Sequence, residues 1–214
     1  MNRSPRPSAF TLIEMLTVMA VIAILASLIM AVNGYVQRKA ATERVNGEIA
    51  ALSLGCENYK VDNGVYPRNS DTDALDSRTE GNPNSTAYQK ASLYLYKALS
   101  GDTTPEEAPD FVPEEKVYLP EFFKATVLNT RKDDNGKVKA VNFIQDPFGN
   151  SYGYSTAAAK AEDEYRKALK SKPNTARQSD TKGYNTSKFD LWSTGGSVKS
   201  PATEADQARW IKNW

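Results

Sequence analysis

The most pronounced feature of the hydrophobic pattern is an apolar run from Phe10 to Val32, near the start of the chain. Its 23 residues contain one charged side chain, Glu14. A helix rises about 1.5 Å per residue, so the run would be roughly 34 Å long, enough to cross the hydrocarbon core of a bilayer. The pattern therefore predicts a transmembrane helix over residues 10–32.

The residues before this run, 1–9, are predicted to remain on the cytoplasmic side. They carry Arg3 and Arg6, and positive charge next to a membrane span tends to stay in the cytoplasm. A secretory signal peptide would have a shorter apolar core and a small-residue cleavage site after it. We therefore expect a short leader, an anchor that is not removed as a whole, and a domain across the membrane.

After the span, apolar residues recur at spacings of four and three. This spacing marks one face of an amphipathic helix and predicts that the helix continues through residues 33–62, with that face covered by the rest of the protein. Asn63-Gly64 and Pro67 then give a helix stop signal. The apolar positions are Val45, Ile49, Leu52, Cys56 and Tyr59.

The remaining residues, 63–214, are predicted to form one globular domain. A second helix is expected at 87–99, and the Asp133–Gly136 turn is expected to join two strands as a hairpin. Residues 69–83 and 101–115 are polar or turn-rich and predict exposed loops, and 157–172 predicts a solvated helix or a mobile insertion. Strands are predicted at 122–128, 138–144, 151–155 and 189–193. The predicted fold class is α+β, a long N-terminal helix packed on a small antiparallel sheet.

Composition excludes several kinds of function. Histidine is absent, which removes Ser-His and Cys-His catalysis and histidine-bound zinc. Lysine plus arginine (27) nearly balance aspartate plus glutamate (26), so nothing predicts binding to nucleic acid. Cys56 is the single cysteine and cannot form an intramolecular disulfide. We do not expect an enzyme.

Glu14 is the chemically unusual residue of the apolar run. A charge inside a membrane span costs about 2.5–3.5 kcal/mol unless it finds a partner. If the chain were cut before Phe10, the new α-amino group would lie about one helical turn from Glu14, on the same chain or on a neighbour. The alternative is an ordinary signal anchor in which Glu14 reaches the cytoplasmic interface.

The stretch SAFTLIEMLTVMAVIAILAS, residues 8–27, resembles the prepilin N-terminal cleavage and methylation motif of the type IV pilin-like superfamily. The resemblance implies cleavage between Ala9 and Phe10 by a prepilin peptidase, followed by N-methylation of Phe10. It also implies that Glu14 contacts the N-terminus of a neighbouring subunit during assembly. The chain departs from the family at Ala9, where glycine is usual.

Three later segments resemble the major pseudopilin of the type II secretion system. They are NYKVDNGVYP at 58–67, DPFGNSYGY at 146–154 and KFDLWSTGG at 188–196, and they look like its helix end, strand turn and last strand. Residues 69–117 and 157–185 are longer than in that family and have no counterpart in it; we call them the insertion segments.

The resemblance implies a structural subunit that polymerises with itself into a periplasmic filament and drives protein export. Its implied partners are minor pseudopilins, an inner-membrane assembly platform and the prepilin peptidase. The implied location is the bacterial inner membrane, with the C-terminal domain in the periplasm. Two alternatives stay open: a type IV pilin or minor pilin acting in adhesion, motility or DNA uptake, and a membrane-anchored periplasmic enzyme that uses carboxylates alone.

The resemblance to major pseudopilins also implies a calcium site in the loop after the last strand. Glu204 and Asp206 would supply carboxylates, and backbone carbonyls of residues 192–197 would complete the six to eight oxygen ligands that calcium takes. Ser197 stands where the family has an acidic residue, and Lys199 adds a positive charge. The alternative is a solvated acidic pair at the start of a C-terminal helical turn.

Overall fold

The computed structural model describes residues 11–105, 113, 115–177 and 182–214. The chain divides into two compact units, Met1–Ala41 and Thr42–Trp214. Helix α1, Leu12–Asn63, is followed by small antiparallel sheets and further helices. The predicted α+β class, with a long N-terminal helix followed by antiparallel strands, is therefore confirmed.

The second half of α1 supplies one side of the core of the second unit. Val45, Leu52 and Cys56 have no exposed surface, and Ile49 is also buried, which confirms the predicted apolar face. Burial raises the pKa of the Cys56 thiol, so this cysteine behaves as a small apolar side chain. The helix ends as predicted, because Gly64 adopts a φ of 75° and donates its N–H to the Lys60 carbonyl at 2.8 Å.

Among the described residues, the small antiparallel sheet region that the sequence predicts consists of two separate antiparallel sheets. Strand β1 pairs with β2, and β4 lies between β3 and β5. The elements after α1 are α2 Ser70–Ala74, α3 Thr86–Ser100, β1 Leu128–Lys132, β2 Val138–Ile144, β3 Gly153–Ser155, α4 Ala157–Ser171, β4 Asp190–Ser193, α5 Glu204–Gln207 and β5 Ile211–Lys212.

Most of the predicted elements are found near their expected positions, and one strand is wrong. The second helix, the Asp133–Gly136 turn and the strand over residues 138–144 are all present. Strand β1, however, begins only at Leu128, after a short 3₁₀ helix. Phe122 and Phe123 are both partly buried against the core, an arrangement that the alternating faces of a strand would not give to consecutive residues.

Residues 69–83 were expected to form an exposed loop, and this prediction is wrong. Asn69 caps helix α2, its side chain accepting hydrogen bonds from the N–H groups of residues 71 and 72. The hydroxyl groups of Thr72 and Thr156 lie 2.8 Å apart in the interior, and Ser77 and Leu75 are also buried. Polar residues are buried here because hydrogen bonds satisfy them, including bonds to residues far away in sequence such as Thr156 and Asp190. A pattern of apolar and polar positions does not show such bonds.

The core is built around aromatic side chains from several elements. Trp192 of β4 is fully buried and meets the ring of Tyr88 edge to face, with centroids 5.4 Å apart. Gly153 of β3 lies against the Trp192 indole, and a Cβ atom at this position would lie 2.3 Å from the ring. Glycine at 153 is therefore needed so that β3 can approach β4 beside the tryptophan.

Asp190 of β4 joins both insertion segments to the sheet. Its side chain is buried and accepts hydrogen bonds from the Ser77 hydroxyl at 2.5 Å and from the N–H groups of Tyr184 and Asn185 at 2.8 and 2.9 Å. Ser77 lies in the first insertion segment and Tyr184 in the second. A single carboxylate thus positions two segments that are far apart in sequence.

Substituting alanine at Asp190 is expected to lower the free energy of unfolding by about 2 kcal/mol, because the buried Ser77 hydroxyl and the partly buried N–H groups of Tyr184 and Asn185 lose their acceptor. Urea unfolding of the full chain in detergent, followed by tryptophan fluorescence, measures this change. Asp134→Ala, at the exposed tip of the hairpin, is the matched control and should change the value by less than about 0.5 kcal/mol. Equal losses in the two variants would contradict this role of Asp190.

Candidate functional site

The first candidate site is the N-terminal part of α1, whose surface is apolar on every side. From residue 12 to residue 30 the large apolar side chains are between 52% and 82% exposed. This helix is long and apolar enough to cross a membrane, judged by length and composition. A helix that is apolar all round is stable where lipid or other apolar helices surround it.

The polar side chains of this segment are compatible with an apolar environment. The Thr17 hydroxyl donates to the Glu14 carbonyl at 2.9 Å, and the Ser27 hydroxyl donates to the Ile24 carbonyl at 2.7 Å. These bonds are made within the helix itself, so neither hydroxyl needs water. Glu14 is consequently the one residue between 12 and 30 that brings a charge into this surface.

Glu14 closes a capping box with Thr11 at the start of α1. Its Oε2 atom accepts from the Thr11 N–H at 2.7 Å and from the Thr11 hydroxyl at 2.8 Å, while its own N–H lies 3.3 Å from the same hydroxyl oxygen. The carboxylate therefore lies at the helix N-terminus, where the backbone dipole stabilises negative charge. In the described part of the chain, its Oε1 atom accepts no hydrogen bond and stays available to a cation.

The predicted cleavage and methylation residues, Ala9 and Phe10, lie outside the described residues. Phe10 directly precedes Thr11 in sequence, so a new amino terminus at Phe10 would be one residue from the capping box. Sequence reasoning missed the part played by Thr11. The spacing Thr-x-x-Glu over residues 11–14 is the signature of a capping box and could have indicated it.

The second candidate site is the loop after β4, which contains Glu204 and Asp206. Both residues belong to α5, but only Asp206 is buried; Glu204 is exposed. Asp206 accepts from the Lys199 ammonium at 2.8 Å through Oδ1, and from the Thr203 hydroxyl at 2.7 Å and the Thr203 N–H at 3.1 Å through Oδ2. The hydrogen bond from Lys199, followed by those from Thr203, lowers the pKa of Asp206 to about 2.

Asp206, one of the two predicted calcium ligands, is already engaged within the loop. Calcium takes six to eight oxygen ligands, whereas both carboxylate oxygens of Asp206 already accept hydrogen bonds, one of them from a cation. In the part of the chain that the structure describes, no three acidic, histidine or cysteine side chains are grouped so as to hold a metal ion. Calcium binding through Glu204 and Asp206 stays a prediction.

Comparison with known protein families finds a match to the prokaryotic N-terminal methylation motif at residues 5–30. Comparisons with curated proteins and with solved structures give no significant match. The chain thus carries a prepilin-type N-terminal motif, which supports a type IV pilin-like protein of a structural, non-catalytic family. The matched residues include the capping box of Thr11 and Glu14 and most of the apolar surface of α1.

Proposed function

Starting from this prepilin motif, we propose that the protein is a structural subunit of a type II secretion pseudopilus. The observation that carries the proposal is a helix that is apolar on every side and has one carboxylate, Glu14, at its start. The subunit rests in the bacterial inner membrane and is then transferred into a periplasmic filament. The chain itself performs no catalysis.

The same surface of α1 serves in both places. Lipid tails and neighbouring apolar helices are similarly apolar, so moving the helix from the membrane into a helical bundle costs little hydrophobic energy. Glu14 provides the directional contact, because its carboxylate pairs with the N-methylated amino group of Phe10 on a neighbouring subunit. A buried charge without a partner is costly, so this pair sets the axial register between subunits.

The three segments whose sequences resemble the major pseudopilin favour a pseudopilin over an adhesive pilin. Residues 58–67 contain the end of α1, residues 188–196 contain β4, and residues 146–154 contain a tight turn in which the Asp146 N–H donates to the Asn150 carbonyl at 2.8 Å. In addition, Cys56 is buried in the core and is the single cysteine of the chain. A C-terminal loop closed by a disulfide, which adhesive pilins often have, is therefore not available to one subunit.

The partners and location follow from this role. The leader of residues 1–9 is cytoplasmic and is removed by the prepilin peptidase, and the unit after residue 41 lies in the periplasm. Its other partners in the secretion system are minor pseudopilins and an inner-membrane assembly platform.

Deleting the gene is expected to stop the export of secreted proteins and to leave surface pili in place. Loss of pili with intact export would favour the pilin alternative.

Coexpression with a prepilin peptidase tests the processing step. Intact-mass spectrometry of the purified chain is expected to show a protein that begins at N-methylated Phe10. The control is the same chain expressed without the peptidase, in which residues 1–9 should remain attached to Phe10. A chain that keeps its leader with the active peptidase, or that is cut elsewhere, would contradict the proposal.

A further inference from the structure

The C-terminal loop, residues 194–207, is closed on itself by one ion pair. Lys199 extends across the loop and donates to Asp206 at 2.8 Å. The lysine side chain is 60% exposed, whereas the Asp206 side chain is only 4% exposed. A buried carboxylate therefore has its counterion supplied by the protein, from the solvent side of the loop.

The first insertion segment holds the same loop through its backbone. Lys199 donates its N–H to the Gly81 carbonyl at 3.1 Å, and Ala202 donates its N–H to the Thr79 carbonyl at 2.8 Å. The two chains approach so closely that a Cβ atom on Gly81 would lie 2.4 Å from the Lys199 carbonyl oxygen. Lys199 is thus fixed at both its backbone and its ammonium group.

The far end of the loop contacts both insertion segments through one amide side chain. Gln207 donates from Nε2 to the Arg78 carbonyl in the first segment and accepts at Oε1 from the Tyr184 hydroxyl in the second. The loop is therefore tied to the rest of the unit at Lys199, Ala202 and Gln207.

We propose that Lys199 and the two insertion segments together replace a metal ion in this loop, so that the fold of the loop is independent of calcium. A divalent cation bound at the Asp206 carboxylate would lie close to the Lys199 ammonium, and the repulsion between the two positive charges opposes its binding unless the ammonium moves away. Displacement would also leave the ammonium without its partner. The insertion segments, which have no other assigned role, then serve to hold this loop in place through their hydrogen bonds.

Thermal unfolding of the full chain in detergent tests the proposal directly. The wild-type midpoint is expected to be the same in millimolar calcium and in excess EGTA. Lys199→Met keeps most of the unbranched side chain and removes its charge, and is expected to lower the midpoint by about 3–8 °C because Asp206 loses its counterion. Lys172→Met, at an exposed lysine just after α4, is the matched control and should leave the midpoint unchanged.

Two results would overturn the proposal. The first is a wild-type midpoint that rises with calcium and no longer does so in Asp206→Asn, since this would show a metal site in the loop. The second is a Lys199→Met midpoint equal to that of Lys172→Met. The comparison of wild type with and without calcium remains decisive even if Lys199→Met fails to fold.

Discussion

Glu14→Gln is expected to abolish filament assembly while leaving the helix and the membrane anchor intact. Glutamine still accepts hydrogen bonds and so retains the capping box with Thr11. What disappears is the negative charge, which leaves the neighbouring amino terminus as an unpaired cation inside an apolar bundle. The cost of such a charge, about 2.5–3.5 kcal/mol, corresponds to roughly a hundredfold weaker association of each subunit.

The measurement is the amount of filament sheared from cells that overexpress the chain, relative to the amount of membrane-bound subunit. Glu43→Gln is the matched control, because Glu43 is an exposed glutamate on the same helix but beyond the apolar surface. Normal assembly of the Glu14→Gln variant would contradict the part assigned to this carboxylate. Reduced membrane insertion of the same variant would show that the substitution acts on insertion rather than on assembly.

Leu52→Ala is expected to give a large loss of stability in the second unit. Leu52 lies on the buried face of α1 and has no exposed surface. Truncating a buried leucine removes apolar contacts and leaves a cavity, which costs about 2–5 kcal/mol. The loss falls on the core of the unit after residue 41, so the N-terminal apolar surface should be unaffected.

Leu54 provides a control two residues away on the same helix, where the side chain is 59% exposed. Leu54→Ala should change the free energy of unfolding by less than about 0.5 kcal/mol. Urea unfolding is followed through the three tryptophans, Trp192, Trp210 and Trp214, all of which lie in the second unit. Similar losses in the two variants would mean that the predicted face of α1 is not the one that packs on the core.

The helices and turns that depend on local pattern could be predicted from the sequence. The spacing from Val45 to Cys56 identified the buried face of α1, and Asn63-Gly64 identified its end. Both signals involve residues within one or two helical turns of one another. The hairpin turn at 133–136 was predictable for the same reason, since its residues determine its backbone conformation locally.

The features that were missed depend on contacts between distant residues. The sequence of the first insertion segment predicts a polar loop, yet Ser77 is buried. Its hydroxyl donates a hydrogen bond to the carboxylate of Asp190, which lies more than a hundred positions later in the chain. Phe122 and Phe123 have side chains that are common in strands, but both pack against the core and lie before β1 begins. A pattern of apolar and polar positions contains no information on such pairings.

The two candidate sites also differ in how far they could be predicted from the sequence, because one depends on neighbouring residues and the other on how a loop closes. Glu14 could be singled out from the sequence because a lone acid in an apolar run needs no structural context to be unusual. Its partner Thr11 is three residues away and was also within reach of the sequence. The pairing of Asp206 with Lys199, in contrast, depends on how the C-terminal loop closes, and the sequence alone suggested a metal ligand where the structure has an ion pair.

The most direct test of the central claim is a structure of the filament by electron cryomicroscopy. We predict a core of bundled α1 helices in which the Glu14 carboxylate of one subunit lies within ion-pairing distance, about 4 Å or less, of the Phe10 amino group of a neighbour. A filament in which the apolar surface of residues 12–30 faces solvent, or in which the Phe10 amino group pairs elsewhere, would contradict the account.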